Sequence, residues 1–304
     1  MKDFALPFIT AGCEANGRIV KLEESLTKIL NKHNYPDVVS NLLCELIIAN
    51  VILGQNLKHD GMVSCQLGSK DGIVKLAASE FIHGGKIRAY ASFDENAKIT
   101  EKTSFEELTN FGDLIVTYES NYSKYQGIVK LGNVSLSDSL REYFNNSEQI
   151  ETKLKIEYSS ENLLDQKIYK AAGFLISKIP DEDKNRTKKN ISPASSDTQQ
   201  NNEEENTNSV KENNNNWEKF KIFTDSLTKK ELLKDNPEDI LKKLFHEDGV
   251  ILYDKRPITF SCRCSREKMN DFLTRMSEKE KEQIKQSDEK IHMKCQFCGQ
   301  EEIF

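Results

Sequence analysis

Four cysteines near one end of the chain limit its folding more than any other feature: Cys262-Arg263-Cys264 and, after 30 intervening residues, Cys295-Gln296-Phe297-Cys298. Two close pairs joined by a loop or short helices bring four sulfurs together with little chain strain, and four thiolates bind Zn²⁺ tetrahedrally. The segment from Ile258 to Phe304 has only 47 residues, and its apolar members, such as Phe260, Phe272, Leu273 and Phe297, are few. So small a core rarely holds a fold alone. A structural zinc ion supplies roughly 10–16 kcal/mol of apparent binding energy, which in such a module is folding energy. The spacing therefore predicts a module that folds on roughly one zinc per chain.

Thiolates are also what oxidants attack, so a four-sulfur site is either a redox-silent staple or a sensor. The spacing leaves both open. A Cys-X-Cys pair closes a very small ring, and a strained disulfide is the labile, regulatory kind. Arg263, Arg266, Lys268 and Lys294 are expected to crowd the sulfurs with positive charge. His292 lies three residues before Cys295, but strand alternation turns it to the other face and four cysteines complete the tetrahedron without it.

With 304 residues, 37% hydrophobic and 30% charged, the chain has room for one good-sized domain and a smaller module, and is polar enough that some of it is expected to be disordered. A net charge of −6 gives no pull toward nucleic acid or anionic membrane. The stretch Met1 to Pro7 has no apolar core of signal-peptide length, and no run approaches the ~20 apolar residues of a membrane helix. The expectation is a soluble, cytoplasmic protein. Cys13, Cys44 and Cys65 are scattered singly and read as small core residues.

Along the chain, Leu22, Leu26, Ile29 and Leu30 mark one helical face, and a second helix starts after Tyr35-Pro36, with Asp37 as N-cap and Val39, Leu42, Leu43, Leu46 and Ile47 inside. Two amphipathic helices are thus expected to open the protein. From Met62 the pattern becomes strand-like: Met62 to Leu67, Ile73 to Ala78 and Ile87 to Phe93 form a meander, with His83-Gly84-Gly85-Lys86 a hairpin turn rather than a phosphate loop. Leu114 to Tyr118, Tyr125 to Leu131, Leu154 to Tyr158 and Ala171 to Ile179 add strands, and Asp138 to Phe144 a short helix. Residues 1–180 read as one α+β domain on an antiparallel sheet.

Residues 181–219 are Asn-rich and nearly free of apolar side chains, the composition of a disordered linker insertion. Residues 220–257 are expected to form a helical linker. Thr228 to Glu231 is a capping box, and Asn236-Pro237 starts a further helix. Helices this short hold only when packed on something, so the linker is either an ordinary helical hairpin or a metastable one, ordered only while docked on its neighbours. Its apolar residues Phe220, Phe223, Leu232, Leu233, Ile240, Leu241, Leu244 and Phe245 are candidates for binding other proteins once uncovered. Residues 258–304 complete the chain as the zinc module, with a helical stripe of Met269, Phe272, Leu273 and Met276 and a capped helix from Ser277.

The run Phe260-Ser261-Cys262-Arg263-Cys264-Ser265-Arg266-Glu267, followed by Cys295-Gln296-Phe297-Cys298-Gly299, resembles the zinc motif of the redox-regulated bacterial chaperones called heat shock protein 33. Tyr125-Gln126-Gly127-Ile128-Val129, Tyr143 to Gln149, Ala171-Ala172-Gly173 and Leu244-Phe245-His246-Glu247 extend the resemblance over nearly the whole length, with residues 181–216 outside it. The resemblance implies a cytoplasmic, ATP-independent holdase rather than an enzyme. In the reduced form Cys262, Cys264, Cys295 and Cys298 hold zinc and the protein is inactive. Oxidation pairs Cys262 with Cys264 and Cys295 with Cys298 and expels the metal. The linker then unfolds, the protein forms a homodimer, and unfolding client proteins are captured.

Other classes fit less well. A zinc-ribbon nucleic-acid binder should be basic, yet residues 258–304 carry nine Lys/Arg against nine Asp/Glu. Four protein ligands leave a zinc hydrolase no open position for water. A thiol-disulfide oxidoreductase would place its Cys-X-X-Cys at a strand-to-helix turn in a βαβ unit, a pattern missing around Cys295.

Overall fold

The computed structural model describes residues 2–57, 60–132, 135–144, 150–164, 166–180, 182–184, 208–286 and 288–304, side chains of 208–215 excepted. It opens on strands, not helices. β1 (Phe4–Thr10) and β2 (Ala15–Leu22) pair as an antiparallel hairpin, and α1 (Glu24–Leu30) and α2 (Asp37–Gly54) follow. The expectation of two opening helices therefore needs correction, and the reason is physical. β1 is buried on both faces, so its sequence shows no alternation to read. Leu22 ends β2 instead of starting a helical face. Asp3 satisfies the first turn of α1: its carboxylate accepts from the backbone N–H of Glu23 (2.7 Å), Glu24 (3.0 Å) and Ser25 (2.5 Å).

Then come β3 (Gly61–Gly68), β4 (Val74–Ile82), β5 (Lys86–Phe93), α3 (Phe105–Thr109), β6 (Asp113–Ser120), β7 (Lys124–Lys130), α4 (Leu136–Tyr143), β8 (Thr152–Leu163) and β9 (Gln166–Lys178). The linker region gives α5 (Asn208–Ser226), α6 (Lys229–Lys234) and α7 (Pro237–Leu244), followed by β10 (Val250–Leu252), β11 (Arg256–Pro257) and β12 (Thr259–Phe260). The last stretch holds α8 (Arg266–Thr274), α9 (Glu278–Ile284), β13 (His292–Lys294) and β14 (Glu301–Ile303).

Two sheets sandwich α2. The first runs β10-β1-β2-β9-β8, with β11 also on β1; the second runs β12-β5-β4-β3-β6-β7. Pairing is antiparallel except for β12, which lies parallel to β5. This is the expected α+β class, but with two antiparallel sheets instead of one. α2 is long and apolar enough by composition to cross a membrane, and here it is mostly buried as the core helix. Its approach to β9 needs Gly173, where a Cβ would stand 2.4 Å from Ile48 Cγ2. Cys44 and Cys65 lie in this core, where burial pushes both thiols up; Cys13 is also buried.

The outer face of the first sheet is apolar too. Phe4, Leu6 and Phe8 of β1, Ile19 of β2 and Phe174 and Ile176 of β9 pack against Trp217, Phe220, Leu227, Leu232, Ile240, Leu241, Leu244 and Phe245. Phe245 is the hub, with ring centroids 5.8 Å from Phe8 and 5.4 Å from Phe220. Two of the helices that supply this cover, α6 and α7, are short, with six and eight residues. Thr228 and Glu231 form the expected capping box, and Glu231, held down to about 2 chiefly by Lys243 and then by Thr228, ties α6 to α7. Lys153 of β8 anchors α5 through Asp225 at 2.8 Å.

The stretch 181–219 read from composition as a disordered linker needs a second correction, because α5 begins inside it at Asn208. Trp217 and Phe220 bury against the sheet and give the polar turns before them a docked end from which to continue. Residues 185–207 lie outside the described residues.

Two outcomes follow from this packing. Phe245→Ala should cost the linker packing about 3–5 kcal/mol, and limited proteolysis of the reduced protein should then cut within residues 217–245 several-fold faster than in the parent. Glu45 of α2 is taken out of water next to Glu157, and this pushes its carboxyl up to about 7 from 4.5. The native state therefore keeps a proton the unfolded chain gives up, and stability should fall by up to about 3 kcal/mol as pH rises through that window. Urea titrations of Glu45→Gln across the same window should lack this loss.

Candidate metal centre

Cys262 and Cys264 follow β12, and Cys295 and Cys298 lie in the turn between β13 and β14. The turn is shaped by the backbone: Cys295 N–H donates to Gln300 O and Gly299 N–H to Cys295 O, both at 2.8 Å, with Gly299 at φ 72°. Ser265 caps α8 through Lys268 N–H and sends the chain away from the first pair, and the capping box of Ser277 and Glu280 starts α9. The expected strand delivering the second pair is β13.

All four sulfurs lie within 4.8 Å of one another. Cys262 Sγ is 3.6 Å from Cys295 Sγ and Cys264 Sγ is 3.3 Å from Cys298 Sγ. Four sulfurs each about 2.3 Å from a zinc ion would stand about 3.8 Å apart. The donor set therefore fits a tetrahedral, thiolate-binding metal. Burial opposes ionisation of Cys262, but the Cys264 backbone N–H and the neighbouring thiols outweigh it and draw Cys262 down to about 7. Cys264 and Cys298 are pushed up, by burial first.

The positive charge at the cluster comes from an unexpected place. Arg263 turns to Glu80 (2.6 Å), Arg266 to Glu302 (2.9 Å) and Lys268 to the Arg263 carbonyl (2.9 Å). The guanidinium that reaches a sulfur is Arg88 on β5, 4.0 Å from Cys262 Sγ. No local pattern around residue 88 announces this, because the contact spans 174 residues of chain. His292, as alternation implied, points elsewhere and lies 3.0 Å from Asp288 and 3.2 Å from Glu301, which raise its pKa.

The candidates on the linker all fall on one surface: Phe220, Leu232, Ile240, Leu241, Leu244 and Phe245 are buried against the first sheet, and Phe223 and Leu233 are partly buried there.

A family profile described as Hsp33 protein matches residues 3–304. The chain belongs to the Hsp33 family. It is 33% identical to the 33 kDa chaperonin of Pseudomonas syringae pv. syringae, over 99% of this chain and 90% of that protein, and 30% identical to the 33 kDa chaperonin of Proteus mirabilis, over 100% and 93%. The crystal structure of the Hsp33 homologue from Thermotoga maritima superposes with a TM-score of 0.77 at 17% identity, covering 100% of this chain and 95% of that one. The Hsp33 fold, with its four-cysteine cluster at the C-terminal end, thus accounts for the whole chain, and the chain is a chaperone of this family.

His292→Ala should leave the metal content of purified protein at roughly one zinc per chain, whereas Cys264→Ser, which breaks the donor set, should lower it well below that. Atomic absorption on both variants checks this.

Proposed function

We propose that the protein is an ATP-independent, cytoplasmic holdase switched by oxidation. Reduced Cys262, Cys264, Cys295 and Cys298 hold one zinc per chain, and the metal supplies the folding energy that the small module lacks. Each thiolate pair loses two electrons on forming one S–S bond. A hypochlorite ion takes them and, with one water, ends as chloride and two hydroxides. The proposed pairs are Cys262–Cys264 and Cys295–Cys298, within each motif, and their formation removes the donor set.

The observation that carries the reading is the position of the linker. The chain runs from α7 to Cys262 by way of β10, β11 and β12, which hold the edges of β1 and β5. A module that lets go loosens those edge strands first and the helices behind them next. α6 and α7 are too short to stand alone, and α5 is held through Trp217 and Phe220 in the same packing, so their departure uncovers Phe4, Leu6, Phe8, Phe174 and Ile176 together with their own apolar faces, Phe220, Phe223, Leu232, Leu233, Ile240, Leu241, Leu244 and Phe245. A contiguous apolar surface of this kind binds unfolding proteins and a second copy of the chain. Capture by exposed surface needs neither bound nucleotide nor catalytic turnover.

The test follows metal and light scattering together. Treatment with hypochlorite should release roughly one zinc per chain to a chromogenic chelator, and a thermally unfolding client should be kept from aggregating only afterwards. Equal suppression by reduced and oxidised protein would leave a zinc protein without a switch.

A further inference from the structure

The second sheet carries a docking patch for the cysteine module. β4 and β5 present Glu80, Arg88 and Tyr90 on their outer side, and each cysteine motif places an intervening residue on these three. Arg263, from Cys262-Arg263-Cys264, meets Glu80 Oε2 at 2.6 Å and Met62 Sδ at 3.3 Å. Phe297, from Cys295-Gln296-Phe297-Cys298, lies under the Arg88 guanidinium, 4.0 Å from ring centroid to Cζ, with Tyr90 edge-on at 5.7 Å. Arg88 is fixed from behind by Glu80 at 2.7 Å, both side chains only 13% exposed. The chain enters the module at the same place: Thr259 N–H donates to Gly85 O at 2.8 Å. At Gly85 a Cβ would stand 2.0 Å from the Pro257 carbonyl oxygen, and φ is 85°.

Metal binding requires four sulfurs and nothing of Arg263 or Phe297, yet both residues make side-chain contacts with the core domain. We propose that Arg88 is a positioning residue for the switch: with Glu80 it clamps Arg263 and Phe297, holds the reduced cysteine cluster against β5, and so sets how readily oxidant reaches Cys262. Closing either small disulfide ring re-aims the residue inside it, so the clamp loses Arg263, Phe297 or both when the pairs form. The core domain thereby senses the redox state through the side chains between the cysteines. The inference rests on the proposed oxidative switch and adds the surface that reads it.

The test compares Arg88→Ala, Phe297→Ala, the double variant and Arg88→Lys, in the full-length reduced protein with its metal. Loss of a partner just outside a metal's ligands typically changes metal retention or activity about 10–100-fold. Arg88→Ala should therefore keep zinc stoichiometry but release zinc to hypochlorite about tenfold faster, at the low end of that range. Phe297→Ala removes the stack alone and should give part of that rise, and the double variant should be no faster than Arg88→Ala, in which the stack is already lost. Arg88→Lys keeps the charge but loses the planar stacking and the Glu80 fork, so it should resemble Arg88→Ala. Hydrogen exchange in the reduced protein should rise at residues 86–93 and 259–264 in the variants, a readout independent of oxidation and of chaperone activity. Parent-like exchange and release in all four variants would overturn the proposal even with the switch intact. A parent protein that keeps its zinc under oxidant would overturn the switch itself, and the exchange measurement alone would then decide whether the clamp exists. Variants purified without metal would show Arg88 to be a folding residue instead, and would equally overturn the proposal.

Discussion

The first sheet is apolar on both faces, and this determines much of the rest. Its inner face is satisfied by α2, a helix so hydrophobic that it has no alternative environment. Its outer face needs a second cover, and the chain supplies one from far along the sequence, as three helices, two of them too short to persist without the sheet. The dependence is mutual. Exposed, the sheet would present Phe4, Leu6, Phe8 and Phe174 to water; undocked, the helices would melt. In the proposed switch, an interface whose two sides depend on each other is the element that a perturbation at its boundary would open.

That boundary is at the stretch from Val250 to Phe260. It joins the linker helices to the cysteines and stitches both to the core through β1 and β5. Arg256, within it, also reaches the Gln55 carbonyl at the end of α2, and Arg18 from β2 donates to Ile52 O at 2.8 Å in the same last turn. The C-terminal carbonyls of the central helix are thus completed partly by a residue from the stretch that leads to the cysteines.

Much of this was legible in the sequence where the cause is local. Cysteine spacing gave the sulfur cluster, Thr228 with Glu231 and Ser277 with Glu280 gave helix starts, and paired glycines gave the turn at Gly84-Gly85. The burial of Cys44 and Cys65 followed from their isolation among apolar residues. What escaped depends on distant partners. β1 hides because a doubly buried strand loses its alternation, and α5 begins in Asn-rich sequence because Trp217 and Phe220 find a surface elsewhere. The cation beside Cys262 was sought among its sequence neighbours, which turn instead to Glu80, Glu302 and a carbonyl, while Arg88 arrives from another sheet. Phe297 held the one available hint, an aromatic side chain between two ligands where metal binding demands none.

The parallel register of β12 against β5 and the pairing of β10 and β11 with β1 have a topological result. Each of these short segments is an outermost strand, so the chain's own continuation serves as edge guard for two separate sheets. Stripping that continuation away bares not only side chains but also two rows of backbone amides and carbonyls, on different sheets, in a single event. An extended polypeptide arriving then meets main-chain hydrogen-bonding templates whose demands are indifferent to its sequence, a form of recognition suited to partners that share nothing except having lost their fold.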